Sequence, residues 1–380
     1  MSAEKALIRR WGREDSGELA KAQTPSRRGG RVLGGREFLA GLTTVAVGLA
    51  LAVGIRWDAA AEEVEIDNPL ASAPTLDPDE QPIPGVDISE IGSPEAHRGL
   101  IDTLNGQRSS PGAGERGSLY TVTSGEERRA LVVIPEDYDS ATPAPVVFGF
   151  HGYQGGPQDM ADFGLDGLGA ITVLPAGQDK AWQGAPYAAT NDKDGDVAYV
   201  RDLIEQLDRV YSIDHDRIYA VGMSNGGGFA ALLGCRMPEQ FRAIASVAGA
   251  YYPGTYEGCA EGPVAFLEIH GGKDGVISID GGPRKGSTLL AARAMVERFR
   301  ERDGCAAEPE ADRIGKQIVS FTWHGCAAGT GVQHVAVGEM EHEWPTGDDR
   351  GPKLADGTPY SATSAVADFF REHGLGDEAE

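Results

Sequence analysis

The chain has 380 residues, 41% of them hydrophobic, which is enough for a sizeable core in one large or two ordinary domains. Acidic residues outnumber basic ones 58 to 34, giving a formal charge of -24. Such a balance excludes nucleic acid as a partner, because phosphate contacts need a basic face; it also counts against an anionic polymer substrate and reads most simply as a solubilising surface.

Residues 1–37 form a polar, basic segment carrying Arg9, Arg10, Arg13, Arg27, Arg28, Arg31 and Arg36. Residues 38–55, FLAGLTTVAVGLALAVGI, then run without a charge until Arg56. That run is just long enough to cross a bilayer. The arginines before it place the N-terminus in the cytoplasm and export the rest. A cleaved signal competes with a retained membrane anchor, since Ala59-Ala60-Ala61 offers a small-residue cleavage site. Ser26-Arg27-Arg28 and Arg36-Glu37-Phe38-Leu39 each match only part of a twin-arginine signal. A buried core helix is a third reading. Residues 56–117 are acidic and proline-rich without apolar period, as expected of a linker, with a flexible join at 109–114. There is no internal repeat.

From residue 118 to 376 strand and helix patterns alternate. The β-prone runs 119–122 and 129–134 flank a Ser-Gly-Glu turn and predict an antiparallel hairpin. Buried strands are predicted at 145–150 and 171–174. A helix at 197–211 follows, with Asp194 or Asp196 as its cap. Next come the strand entering Ser224, strands at 243–247 and 264–269, and a helix at 287–300. Strands at 318–323 and 332–337 and a helix at 364–373 close the chain. This alternation predicts an α/β fold with a mostly parallel central sheet and helices on both faces.

Three stretches carry chemistry. The first is Val221-Gly222-Met223-Ser224-Asn225-Gly226-Gly227, a Gly-x-Ser-x-Gly between a β-prone run and a small-residue helical run. A sharp strand-to-helix turn lifts a serine hydroxyl clear of the sheet, and it leaves no room for side chains at Gly222 and Gly226. The serine also sits at a helix N-terminus, where free N–H groups favour developing negative charge. That order is the nucleophile elbow of the α/β-hydrolase fold, which makes Ser224 the candidate nucleophile. His151-Gly152-Tyr153-Gln154-Gly155-Gly156, directly after a buried strand, matches the loop that supplies an oxyanion N–H. The backbone N–H groups of Tyr153 and Asn225 are assigned to it, against the reading of a plain glycine turn.

The second stretch is His270-Gly271-Gly272-Lys273-Asp274, where Asp274 lies just past a strand end and can orient a histidine. Asp280 is its nearest rival, and His270 reads as shaping the loop. The third is Glu339-Met340-Glu341-His342-Glu343-Trp344-Pro345 after the last strand. It completes the chain order Ser, Asp, His and makes His342 the candidate base. His151 and Trp344 are candidates for substrate contact. His97, His215, His324, His334 and His373 fit the role of base less well by position.

Taken together, Val-Gly-Met-Ser-Asn-Gly-Gly, His-Gly-Gly-Lys-Asp and His-Glu-Trp-Pro resemble the esterase family of polyhydroxybutyrate depolymerases, feruloyl esterases and acetylxylan esterases. The likeness runs from about residue 118 to 372. It implies a secreted serine esterase with the triad Ser224, Asp274 and His342, acting on a small ester, a polysaccharide ester or a polyester without metal or cofactor. One departure stands out: relatives approach the histidine through glycines, whereas Met340 and Glu341 precede it here. Cys235, Cys259, Cys305 and Cys326 allow three connectivities, and no Cys-x-x-Cys spacing suggests zinc. Sequential pairing, Cys235–Cys259 and Cys305–Cys326, is the expected one, as relatives look similar. The competing functions are a serine peptidase of the same fold and a non-catalytic cell-surface binding protein on a hydrolase scaffold.

Overall fold

The computed structural model describes residues 110–191 and 194–376. The basic segment 1–37, the apolar run 38–55 and the linker up to residue 109 lie outside the described residues. Among the described residues no helix is long and apolar enough to cross a membrane.

The chain opens with an antiparallel hairpin of β1 (Arg116–Thr123) and β2 (Glu126–Val133). Its two-residue turn, Ser124-Gly125, has φ of 54° and 87°, the left-handed pair that matches strand twist in a tight hairpin. The flexible join expected at 109–114 is instead seated on the domain from residue 110. Pro111 is buried, the Tyr211 hydroxyl donates to its carbonyl (3.0 Å), and the Gly114 N–H donates to Ile134 (3.1 Å).

β3 (Ala144–Phe150), β4 (Ile171–Pro175), β5 (Ile213–Met223), β6 (Ala243–Val247), β7 (Ala265–Gly271) and β12 (Val332–Val337) make the parallel centre of a ten-stranded sheet. Its order is β1-β2-β4-β3-β5-β6-β7-β12-β11-β10. The last two strands, β11 (Ile318–Trp323) and β10 (Glu310–Gly315), run antiparallel at one edge, as β1 and β2 do at the other. β10 escaped the sequence pattern because an exposed edge strand of charged residues carries no apolar alternation. A separate ribbon of β8 (Gly282–Arg284) and β9 (Ser287–Leu289) replaces the start of the helix predicted at 287–300. Lys285 and Gly286 turn it with positive φ, and the Leu290 N–H bonds to the Tyr251 carbonyl, so helical bonding begins only at Ala292.

Alternation along each central strand divides two cores. Ile218 and Ala220 of β5 face one side, with Val200 and Leu203 of α2 (Gly195–Val210), Phe229 and Leu232 of α3 (Asn225–Arg236), and Val296 and Phe299 of α4 (Ala292–Arg302). Tyr219 and Val221 face the other, with Met160 of α1 (Pro157–Asp162) and Val366 and Phe370 of α5 (Ala362–Glu372). The connections from β3 leave first towards β4 and then cross back to β5. The strand order therefore reverses between β3 and β5, and a crevice opens at their carboxyl ends, where such sheets bind ligands.

Candidate active site

Ser224 stands at that crevice, between the end of β5 and the first turn of α3. Its φ of 56° and ψ of -116° lie where non-glycine residues are strained, and the neighbourhood enforces them. Its N–H donates to Val247 (2.9 Å), and its carbonyl accepts from Gly228 (3.0 Å) and Ala250 (2.9 Å). A Cβ on Gly222 would stand 2.2 Å from the Gly226 carbonyl oxygen, so only glycine admits this turn.

The loop after β3 closes over the same point. A Cβ on Gly152 would lie 3.7 Å from the Ser224 Cβ, which sets the loop beside the serine. Gln154 takes a φ of 67° and donates its N–H to Lys180 (2.8 Å). Neither the Tyr153 nor the Asn225 N–H has a carbonyl partner among the described residues. The Asn225 side chain is used elsewhere: its Oδ1 accepts from the Trp182 N–H (2.8 Å) and its Nδ2 donates to the Trp182 carbonyl (3.2 Å). Trp182 in turn donates Nε1–H to the His151 carbonyl (2.9 Å) and stacks on Phe229.

His151, expected to touch substrate, is buried and braces this loop instead. Its Nε2 accepts from the Gly177 N–H (3.0 Å), so Nδ1–H donates to the Gly152 carbonyl (2.8 Å). Burial lowers its pKa, which fits the neutral ring those partners require. Trp344, the other such candidate, is also buried. It stacks on Phe163 with ring centroids 4.6 Å apart and donates Nε1–H to the Thr363 hydroxyl (3.0 Å). Both side chains hold the walls from behind.

Asp274 and His342 are brought together. The Asp274 Oδ1 accepts the N–H groups of Val276 (2.8 Å) and Ile277 (2.7 Å), and Oδ2 accepts Nδ1–H of His342 (2.7 Å). With Nδ1 protonated, the Nε2 of a neutral His342 is left as an acceptor. Burial pushes the Asp274 pKa up, but the hydrogen bonds from His270, His342 and the Ile277 N–H hold it well below the usual carboxylate range. Asp280, the rival acid, is exposed. Met340 is buried in the core, and its carbonyl accepts from the Lys273 N–H (3.1 Å). Room for that crossing comes from the other side: a Cβ on Gly271 would stand 2.3 Å from the Met340 carbonyl oxygen.

The cysteines pair as Cys235–Cys259 and Cys305–Cys326. The first ties the end of α3 to the segment after β6, and the second ties the segment after α4 to that after β11. What sequence reading missed lies behind Asp274. Glu268, His270 and His334 are all buried with their polar atoms facing one another. Part of the signal was present, since residues two apart on a strand such as Glu268 and His270 share a face; the pairing of His334 on β12 with Glu268 on β7 comes only from the sheet register.

A doubly wound sheet with a strained serine at its switch point and a carboxylate–histidine pair on the loops after β7 and β12 defines an α/β-hydrolase. Residues 179–339 match the family model described as Esterase PHB depolymerase. A probable feruloyl esterase C of Aspergillus niger is 30% identical over 57% of this chain and 78% of its own length. Another from Aspergillus terreus is 30% identical over 67% and 89%. Among solved structures, an acetyl xylan esterase from Aspergillus awamori superposes with a TM-score of 0.49 at 12% identity, over 67% of this chain and 99% of that one. The chain belongs to the esterase family of polyhydroxybutyrate depolymerases and feruloyl esterases, and it is a carboxylic ester hydrolase.

Proposed function

We propose that the chain is an exported serine esterase that cleaves aromatic carboxylic esters through an acyl-enzyme on Ser224. The observation that carries the reading is the 2.7 Å bond from His342 Nδ1–H to Asp274, which leaves Nε2 free to act as a base on a loop that follows the sheet's strands, as the strained Ser224 does at the end of β5. In this reading Nε2 takes the Ser224 proton as Oγ attacks the ester carbonyl carbon. The Tyr153 and Asn225 N–H groups receive the oxyanion, and His342 returns the proton to the departing alcohol oxygen. Water then repeats the sequence at the acyl carbonyl and frees the acid. Asp274 orients the imidazole and stabilises its charged form.

The rim bears on the choice of acyl group. Two large hydrophobic side chains are exposed among the described residues, Tyr153 at 41% and Val276 at 40%. One belongs to the oxyanion loop and the other follows Asp274. The Tyr153 ring leads back to Tyr187 (centroids 4.4 Å apart) and thence to Tyr252 (5.9 Å), an aromatic wall suited to a flat aromatic acid. Feruloyl esters, named for the relatives, fit that wall better than acetyl or hydroxyalkanoate groups. Export is supported by the arginine-flanked apolar run at 38–55 and by two disulfides, which persist in oxidising compartments. The test is a fluorophosphonate with the wild type and Ser224→Ala. Labelling at Ser224, and loss of ester turnover in the variant with its melting temperature kept, are expected. Labelling at another serine would sink the reading.

A further inference from the structure

The buried groups behind Asp274 form one connected array. His270 Nδ1 lies 2.7 Å from Glu268 Oε1, and its Nε2 lies 2.9 Å from the Ile277 carbonyl oxygen and 3.5 Å from Asp274 Oδ2. With Glu268 and Asp274 ionised, both ring nitrogens face acceptors only. A neutral imidazole has a single N–H and would set a nitrogen lone pair against an oxygen. In a site this deep such a clash is costly, so the ring carries two protons and a positive charge. Glu268, fully buried on the same strand face, has its other oxygen 2.5 Å from His334 Nδ1. The Tyr251 hydroxyl lies 3.3 Å from Oε1 and 2.7 Å from the Ser246 hydroxyl.

We infer that His270 and Glu268 are positioning residues: an imidazolium held by a buried carboxylate braces the 274–277 loop and sets the charge that Asp274 presents to His342. The inference rests on the Ser224–His342–Asp274 reading. His270 acts on the loop at two points, the Ile277 carbonyl and the Asp274 carboxylate, while Ile277 returns its own N–H to Asp274. Its cation also offsets part of the charge that Asp274 turns towards His342. Glu268 keeps that cation in place. Other titratable groups facing the array are Tyr251, His334 on β12 and the Tyr360 phenol, which feels Glu268. On the outer side Glu341 and Glu343 flank His342 in solvent, and Lys273 pairs with Glu339. Burial pulls the His270 pKa down, yet Glu268 and the hydrogen bonds to Asp274, Glu268 and Ile277 raise it to about 10, in agreement with the donor count.

The test uses His270→Gln on the full chain, with an activated aryl ester and a fluorophosphonate. Both proteins should label at Ser224. The variant should lose about tenfold or more in kcat with KM within about twofold. The acidic limb of its kcat/KM profile should move up by about one pH unit, because an uncompensated Asp274 favours protonation of the base. A rate loss with an unmoved limb, or no loss, overturns the inference, leaving His270 as packing. A wild type that does not label at Ser224 removes the triad reading and this inference with it. Should the variant not fold, the wild type itself decides. In a long-range ¹H–¹⁵N spectrum at pH 8, assigned through its own Cβ, the His270 ring should show two protonated nitrogens. A neutral ring there overturns the inference.

Discussion

A Cβ built on Gly226 would stand 2.0 Å from the carbonyl oxygen of Phe150. The first turn of α3 and the end of β3 are pressed backbone to backbone at this point, and the two candidate oxyanion N–H groups belong to the segments that meet here, Asn225 next to Gly226 and Tyr153 in the loop after Phe150. In an ordinary helix, glycine to alanine stabilises by about 1 kcal/mol. Gly226→Ala should do the opposite, costing about 1–3 kcal/mol as helix and strand are forced apart. It should also lower kcat by about a hundredfold as the N–H groups separate. Chemical denaturation and ester kinetics measure both, and a neutral or stabilised variant would contradict the packing argument.

Asp274→Asn should lower kcat by about 10⁴, because an amide lets His342 settle in the wrong tautomer while KM changes little. Asp280→Asn should leave turnover near wild type, since Asp280 is exposed and Asp274 is the residue bonded to His342. The reverse outcome would reassign the acid.

The sequence was most legible where local chemistry dictates backbone. The run into Gly222-x-Ser224-x-Gly226 has no other use for its glycines, and strands 318–323 and 332–337 follow from apolar runs that the sheet then buries. Legibility failed where long-range partners decide. Residues 287–289 have helical spacing, but pairing with 282–284 draws them into a ribbon. His151 and Trp344 sit at the right places in the chain to meet substrate, yet their polar atoms are taken up by Gly177 and Thr363. The Glu268–His270–His334 array needs the register of two strands far apart in sequence. The pairing of Asp274 with His342 was expected from chain order together with the place of Asp274 just past a strand end, with Asp280 left as its rival.

Stability should carry the mark of that array. The His270 pKa rises from 6.5 to about 10 on folding, through Glu268 and its other partners acting against burial. Its contribution is therefore complete below pH 6.5 and is lost as pH climbs towards 10. Glu268 moves the other way: burial raises it, but His270 and His334 bring it from 4.5 down to about 2. Its share is complete above pH 4.5 and is lost as pH falls towards 2. The array's own contribution to the melting temperature should thus be largest near pH 4.5–6.5 and decline from 6.5 to 10. The buried tyrosines, with pKa values raised by burial, withdraw their contribution only above their ordinary value of 10. A Glu268→Gln/His270→Gln variant should show a flatter alkaline decline, and an equal slope in both proteins would assign the decline to other groups.

The acyl specificity should rest on Tyr153, whose ring is exposed at the rim while its N–H is assigned to the oxyanion. Tyr153→Ala keeps the backbone donor and removes the ring. A feruloyl group long enough to lie between Tyr153 and Val276 would lose about 1.5 kcal/mol or more of apolar contact, roughly a tenfold fall in kcat/KM. An acetyl group is too short to reach the ring and should change by less than about threefold. Val276→Ser should act in the same direction with a smaller effect, since its side chain buries less area and its N–H still serves Asp274. The measurement is the ratio of kcat/KM for a feruloyl and an acetyl ester of one alcohol, in each variant against wild type. Equal losses on both esters would mean that Tyr153 works through the shape of the oxyanion loop. Losses confined to the feruloyl ester assign the aromatic wall to the acyl group.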